Sequence, residues 1–239
     1  MDIEDLWKNS SWTLKARELL KAIQKFPKNS KIILVLRHSH RNKPKKIEDL
    51  PKLRLTEIGH AIAKRFGEEL PIDRSIRLFH SVVMRCQETA DNILEGFRKK
   101  SGTGKIKGAL QPLFFAGTAP NFFIDMFRNV SPLRFINQWA AGHYSPECIT
   151  QFQKYSEDAA SVIWNEINSA PEKSIDIHVT HDIFLIALRY GWFGLPPGKE
   201  WVPFLGGFAF IIHDNKITLF YNNEFREIDP PYWWKNINK

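Results

Sequence analysis

Two arginines and two histidines fall within five residues at Arg37-His38-Ser39-His40-Arg41, directly after the apolar run Ile32 to Leu36. Groups that are positive, or able to become so, repel one another at this spacing, and an anion is the simplest agent that would hold them together. Phosphorus chemistry suits these types. A neutral imidazole can attack a phosphoryl group, and a guanidinium engages two phosphate oxygens at once where an ammonium cannot. A solvated basic loop is the plain alternative for the string taken alone. Two further places tip the balance: Arg85 within Ser81-Val82-Val83-Met84-Arg85-Cys86-Gln87-Glu88-Thr89-Ala90, and the pair His181-Asp182. Phosphoryl transfer needs a nucleophile, positive donors around the equatorial oxygens and an acid for the leaving oxygen. These three places supply all of them.

The flanking sequence places each group at the end of a strand. Lys31 to Leu36 reads as a strand buried on both faces. Ile76 to His80 reads as a short strand feeding a helix with Ile93, Leu94 and Phe97 inward. Ser174 to Val179 reads as a strand followed by a helix with Ile183, Phe184, Ile186, Ala187, Leu188 and Tyr190 on its apolar side. Open α/β sheets bind ligands outside the carboxyl ends of their strands. The expected fold is therefore α/β, a three-layer sandwich with a mostly parallel central sheet and helices on both faces. Its strands are placed near 31–36, 76–80, 174–179, 207–212 and 216–221, the last two as a hairpin around His213-Asp214-Asn215.

Four blocks in order, Arg37-His38, Leu55-Thr56-Glu57-Ile58-Gly59, Ser81 to Ala90, and His181-Asp182, resemble the histidine phosphatase superfamily, which includes acid phosphatases, phytases and phosphoglycerate mutases. The likeness spans roughly residues 31 to 195 and leaves the middle and both ends unmatched. It implies a metal-independent phosphomonoester hydrolase working through a phosphohistidine. His38 would be the nucleophile, Arg37, Arg41, Arg85 and His181 would hold the phosphoryl group, and no cofactor would be needed. The acid-phosphatase-like branch carries its proton donor after the second histidine, here Asp182. The mutase-like branch carries a glutamate after the third strand, where Ala109 to Phe115 contains no carboxylate, so Asp182 is the choice. A cap at the start of its helix is the other role for Asp182. Two departures stand out. Ser39 replaces the usual glycine, which would strain a loop needing φ > 0, and Pro44 lies one residue later than in the acid-phosphatase pattern. A phosphomutase sharing the intermediate and a catalytically inactive module binding phospho-ligands are the rival readings.

The other features narrow the class. The chain of 239 residues, 43% hydrophobic and 25% charged, is expected to form a single domain over 1–239. No apolar run reaches the roughly 18 residues needed to span a bilayer. Met1-Asp2-Ile3-Glu4-Asp5 is unlike a secretory signal, and two cysteines do not suggest a disulfide framework, so a cytoplasmic location is expected. A net charge of +8 would steer a phosphorylated small molecule or phosphoprotein inward. Nucleic acid is not expected, for no recognised binding signature accompanies the charge, and the basic stretch Arg41 to Arg54 reads as a solvated loop at the pocket rim. Residues 1 to 30 read as helical, with Trp7 and Trp12 packing on the core. Ser145-Pro146-Glu147 reads as a helix start, and Pro230 to Trp234 as a tail folded onto the body. The aromatic segment at about 110–145, with Phe114, Phe115, Phe122, Phe123, Phe127, Phe135 and Trp139, punctuated by Gly117 and Pro120, is expected to be a helical insertion capping the site. Cys86 is read as packed, and His40, His60, His80, His143, His178 and His213 as core or surface residues.

Overall fold

A computed structural model describes residues 2–114, 121–198 and 200–236; Phe115, Gly117 and Pro120 lie outside them. The apolar run becomes β1 (Ile32–Arg37), buried along almost its whole length. It lies in a seven-stranded sheet with β2 (Ser75–His80), β3 (Gly104–Ala109), β4 (Ser174–Thr180), β5 (Gly207–His213), β6 (Lys216–Tyr221) and β7 (Glu224–Ile228), in the order β3-β2-β4-β1-β5-β6-β7. The four strands from β3 to β1 run parallel. The three C-terminal strands are antiparallel, joined at β5–β6 by a tight turn with Asp214 and Asn215 both at positive φ. Expected parallelism thus holds for the half of the sheet that carries the motifs.

Helices cover both faces. One layer holds α1 (Ile3–Asn9), α2 (Leu14–Ile23), α3 (Glu57–Glu68) and α4 (Met84–Lys99), packed on Ile32, Leu34, Ile76, Leu78, Ile175 and Ile177. The other holds α6 (Pro132–Ala140), α7 (Phe152–Asn168) and α8 (Asp182–Phe193), with α5 (Phe122–Asn129) joining α6 beside the strand ends. Alternate strand residues serve the two layers, as period-two side-chain direction requires. Trp7 is buried, and Trp233 and Trp234 fold back onto the second layer, Trp234 against Trp164 and Trp192.

Two local expectations need correction. Ser145 starts only a turn, with Cys148 and Ile149 N–H donating to its carbonyl. Burial of Ile149 and the Trp139 Nε1–H bond to the Thr150 carbonyl then hold the chain off the helix until Phe152. The strands β3 and β7 were not expected; both are edges of the sheet. Both cysteines are free, Cys86 fully buried, and no described helix is long and apolar enough to cross a membrane.

Candidate active site

Because β4 lies between β1 and β2, their carboxyl ends bring three chemically active segments together. His38 N–H continues the ladder to the Thr180 carbonyl, and Ser81 N–H to that of Val179, both at 2.9 Å. His38, Arg85, His181, Asp182 and Arg41 share one cavity of about 400 Å³. Arg37 sits behind it, its Nη2 2.8 Å from Asp182 Oδ2, its Nη1 donating to the Val202 carbonyl at 2.6 Å, and its guanidinium 4.4 Å above the Phe204 ring. All six expected site residues are therefore brought together, five lining the cavity and Arg37 acting from the next layer. Arg37 Nε and Arg41 Nε are buried with no partner among the described residues, donors that an anion would satisfy.

His38 is prepared as a nucleophile. Its Nδ1 lies 2.8 Å from the Ser39 carbonyl; a carbonyl only accepts, so Nδ1 carries the proton and Nε2 keeps its lone pair. Burial, and then the positive surroundings of His181, Arg85 and Arg37, hold its pKa well below the ordinary histidine value. The ring is thus neutral at pH 7. Arg85 bridges the two histidines, its Nε donating to His38 Nε2 and its Nη2 to His181 Nδ1, both at 3.0 Å. Burial first of all lowers the Arg85 pKa to about 10, which leaves it charged. These two N–H groups and the lone pair they occupy are what an incoming phosphoryl group would compete for.

His181 Nε2 faces Ser81 Oγ at 2.9 Å. Arg85 Nη2 already donates to Nδ1, so the His181 proton sits on Nε2, which donates to that hydroxyl. Cys86 Sγ packs 3.6 Å from the same nitrogen; burial pushes this thiol up to about 12, which leaves it protonated and without nucleophilic character. Burial would raise the Asp182 carboxyl, but Arg37, the Trp201 indole N–H at 2.8 Å, His181 and the Ile183 N–H at 2.9 Å together hold it below its ordinary value. Asp182 is accordingly ionised. It is the first residue of α8, whose cap position is His181, and its bond from the Ile183 N–H lies within the first turn. Thr180 does not cap: its hydroxyl donates to the Leu113 carbonyl.

The remaining motif residues position this group. Thr56 Oγ1 caps α3 through Gly59 N–H at 3.1 Å and meets His40 Nδ1 at 2.8 Å, while Thr56 N–H donates to the His40 carbonyl. His40 itself packs between Trp12 and Phe204. Ser39 is fully buried and is not at positive φ. Its N–H donates to Thr89 Oγ1 at 3.0 Å, and its Oγ donates to the Gly59 carbonyl at 2.7 Å. Serine is accommodated at this position without strain, because the loop follows a backbone path open to any residue and the hydroxyl points away into the interior. The basic stretch at the rim contains a 3₁₀ helix, Ile47–Lys52, whose Leu50 carbonyl accepts from Arg85 Nη1 at 2.7 Å. Sequence reasoning missed Ser81 as the partner of His181, although its motif was noted, and the 201–206 loop. Trp201-Val202-Pro203-Phe204 is aromatic and apolar, and nothing in its spacing separates it from core.

Above the phosphoryl groups the cavity wall is apolar. Phe123, Ile124 and Phe127 come from α5 and Pro132 from α6, with Phe114, Phe184, Ile183, Ile47, Leu50, Pro51 and Trp201 around them. The described part of the aromatic segment thus lines one side of the cavity. Among the described residues no group of three or more His, Cys, Asp or Glu is placed to hold a metal ion.

This parallel half-sheet carries two histidines, three arginines and a carboxylate at or near its strand ends, and the solved structures that match in three dimensions share its fold. They include a mycobacterial protein described as hydrolase 1 (TM-score 0.55, 15% identity, 82% of this chain and 100% of that one). A phosphoserine phosphatase from Entamoeba histolytica, bound to phosphoserine, matches at TM-score 0.54 and 14% identity over 82% of this chain and 96% of its own. A second mycobacterial hydrolase matches at TM-score 0.51 and 14% identity over 85% and 89%. No protein-family model and no curated protein matches the sequence.

Proposed function

We propose that this chain hydrolyses phosphomonoesters through a phosphorylated His38, without a metal. The observation that carries the reading is the presentation of a neutral His38 Nε2 lone pair, fixed by the Ser39 carbonyl, beside Arg85 and His181 and across a cavity from Asp182. In the first step Nε2 attacks phosphorus and the bond to the ester oxygen breaks. The positive charge that develops on the ring is taken up by the Nδ1–H bond to the Ser39 carbonyl. Arg85, Arg41 and His181 hold the equatorial oxygens, with Arg37 adding its field from behind. Asp182 passes a proton to the leaving oxygen. As a carboxylate it then takes a proton from water, whose oxygen attacks phosphorus and releases His38.

Arg37, Trp201, His181 and the Ile183 N–H hold Asp182 ionised, so its proton must arrive with the substrate. A phosphomonoester monoanion carries one, and transfer to Asp182 restores the acid without a proton from bulk water. The cavity size fits a small phosphomonoester, at the lower end of roughly 300–1,000 Å³ for ligand pockets. Rapid quenching in base during turnover should trap acid-labile phosphate on His38, with inorganic phosphate as product. Turnover that survives in His38→Ala would sink the mechanism, and transfer of the phosphoryl group to an added alcohol in preference to water would convert it to a mutase.

A further inference from the structure

The polar and apolar halves of the cavity are sharply divided, and the division bears on the organic part of the substrate. Every described lining residue with a charge or an imidazole, His38, Arg41, Arg85, His181 and Asp182, belongs to the phosphoryl end. The opposite wall presents Leu50, Phe114, Phe123, Ile124, Phe127 and Phe184. Its one side-chain polar atom, Trp201 Nε1, is spent on Asp182, and the Leu50 carbonyl is spent on Arg85. Arg128 and Asp125 of α5 pair with each other, and Arg128 reaches Glu48 on the rim. Among the described side chains of this wall, none offers a substrate leaving the phosphoryl end a free donor or acceptor.

We infer that this site, given the phosphatase activity on which the inference rests, takes phosphomonoesters of aryl-bearing or alkyl alcohols and discriminates against esters whose organic part is charged. The Phe184 ring stands 6.1 Å from that of Phe114, tilted, and 5.7 Å from that of Phe123, edge to face. A flat apolar group can enter such a set with favourable ring geometry. An ammonium or carboxylate placed there would lose its water and gain no partner, the arrangement by which a site rejects a polar analogue most strongly. The phosphoserine-binding neighbour from Entamoeba histolytica shares the fold, and the wall described here sets this chain apart from phosphoserine as a substrate.

Benzyl phosphate, O-phosphoserine and glycerol 1-phosphate all release a primary alcohol, so comparing them isolates the wall from leaving-group chemistry. The expected result is a kcat/KM for benzyl phosphate at least about 30-fold above either of the others. Ile124→Asn, which places an amide on the wall, should narrow that ratio. Calorimetric binding of benzylphosphonate against the phosphonate analogue of phosphoserine reads the same preference without turnover. Turnover of all three esters with no advantage for benzyl phosphate overturns the inference and leaves the phosphatase reading standing. No turnover of any ester, with benzylphosphonate still preferred, refutes the phosphatase reading and supports the apolar wall. Equal binding of the two phosphonates overturns the wall outright.

Discussion

Gly59→Ala should damage catalysis from a position that touches neither cavity nor substrate. A Cβ at Gly59 would lie 2.2 Å from the His40 carbonyl oxygen, against the 3.0 Å below which real contacts essentially do not occur. The obstacle is backbone, so no side chain can swing aside. The His40 carbonyl must retreat by about 0.8 Å or more, and it also accepts the Thr56 N–H that joins α3 to the loop. Alanine favours a helix over glycine by roughly 0.5–1 kcal/mol, whereas overpacking costs about 1–3 kcal/mol, so the variant should be net destabilised. The larger effect is positional. His38 is two residues away, and displacing a nucleophile by about 1 Å can cost about 100-fold. Steady-state kinetics should show kcat/KM down by about that factor, while thermal unfolding falls by only a few degrees. Thr56→Val, which removes the α3 cap and the partner of His40 without adding atoms, should act in the same direction and less. A Gly59→Ala enzyme within threefold of the unaltered one would refute the claim that helix α3 sets the place of His38.

Three further outcomes follow from the site and core. Asp182→Asn should lower kcat for benzyl phosphate by about 10²–10⁴ and much less for 4-nitrophenyl phosphate, whose leaving group needs no proton; equal losses would remove Asp182 as the acid. In the pH profile, His38 is held well below the usual histidine value, so no activity is lost to its protonation on descending from pH 7 through 6.5. Because Asp182 is held low and the proton comes with the monoanion, kcat/KM should decline above about pH 6, the second phosphate pKa, and an optimum at pH 8 would contradict this. In the core, His178 is stacked on Phe79 at 4.8 Å, both its nitrogens lack partners among the described residues, and burial, then Arg77, lowers its pKa to about 3. The unfolded chain therefore takes up a proton there as pH falls below 6.5 and the folded one does not. That uptake removes about 2 kcal/mol of stability by pH 5. His178→Phe should lose that much less between pH 7.5 and pH 5 in urea unfolding, and an identical loss in both proteins would exclude His178 as the cause.

Much of the site could be read directly from residue types, because strand ends where charge meets an apolar run are few and the groups needed for phosphoryl transfer are distinctive. Strands buried on both faces, such as Ile32 to Leu36, announce themselves by composition. The two strands that escaped notice are the two edges: Gly104 to Ala109 alternates lysines and glycines around the single apolar Ile106, and Glu224 to Ile228 is largely exposed. Edge strands carry charge and little apolar pattern because pairing with other chains must be discouraged there. Ser39 shows the opposite limit. Its identity suggested strain in the loop, and only the path of the backbone shows that the hydroxyl is a fastening to α3. Phe204, under Arg37 and beside both His38 and His40, reaches the site through a long loop whose destination no local periodicity encodes.

The position of β4 between β1 and β2 has a consequence for how the chain comes into being. During synthesis β1 emerges first and β2 then β3 follow it, yet β1 and β2 never pair with each other; each waits for β4. Until about residue 180 has left the ribosome, both present open parallel edges rich in isoleucine and leucine, the kind of surface that recruits chaperones or other nascent chains. Insertion of β4 closes both edges in one event and delivers His181 and Asp182 beside His38 and Arg85 at the same moment. The parallel half of the sheet is thus completed by a single late strand, with β5 to β7 still to follow on the other edge of β1, so truncated products that end before β4 carry His38 and Arg85 without His181 and Asp182.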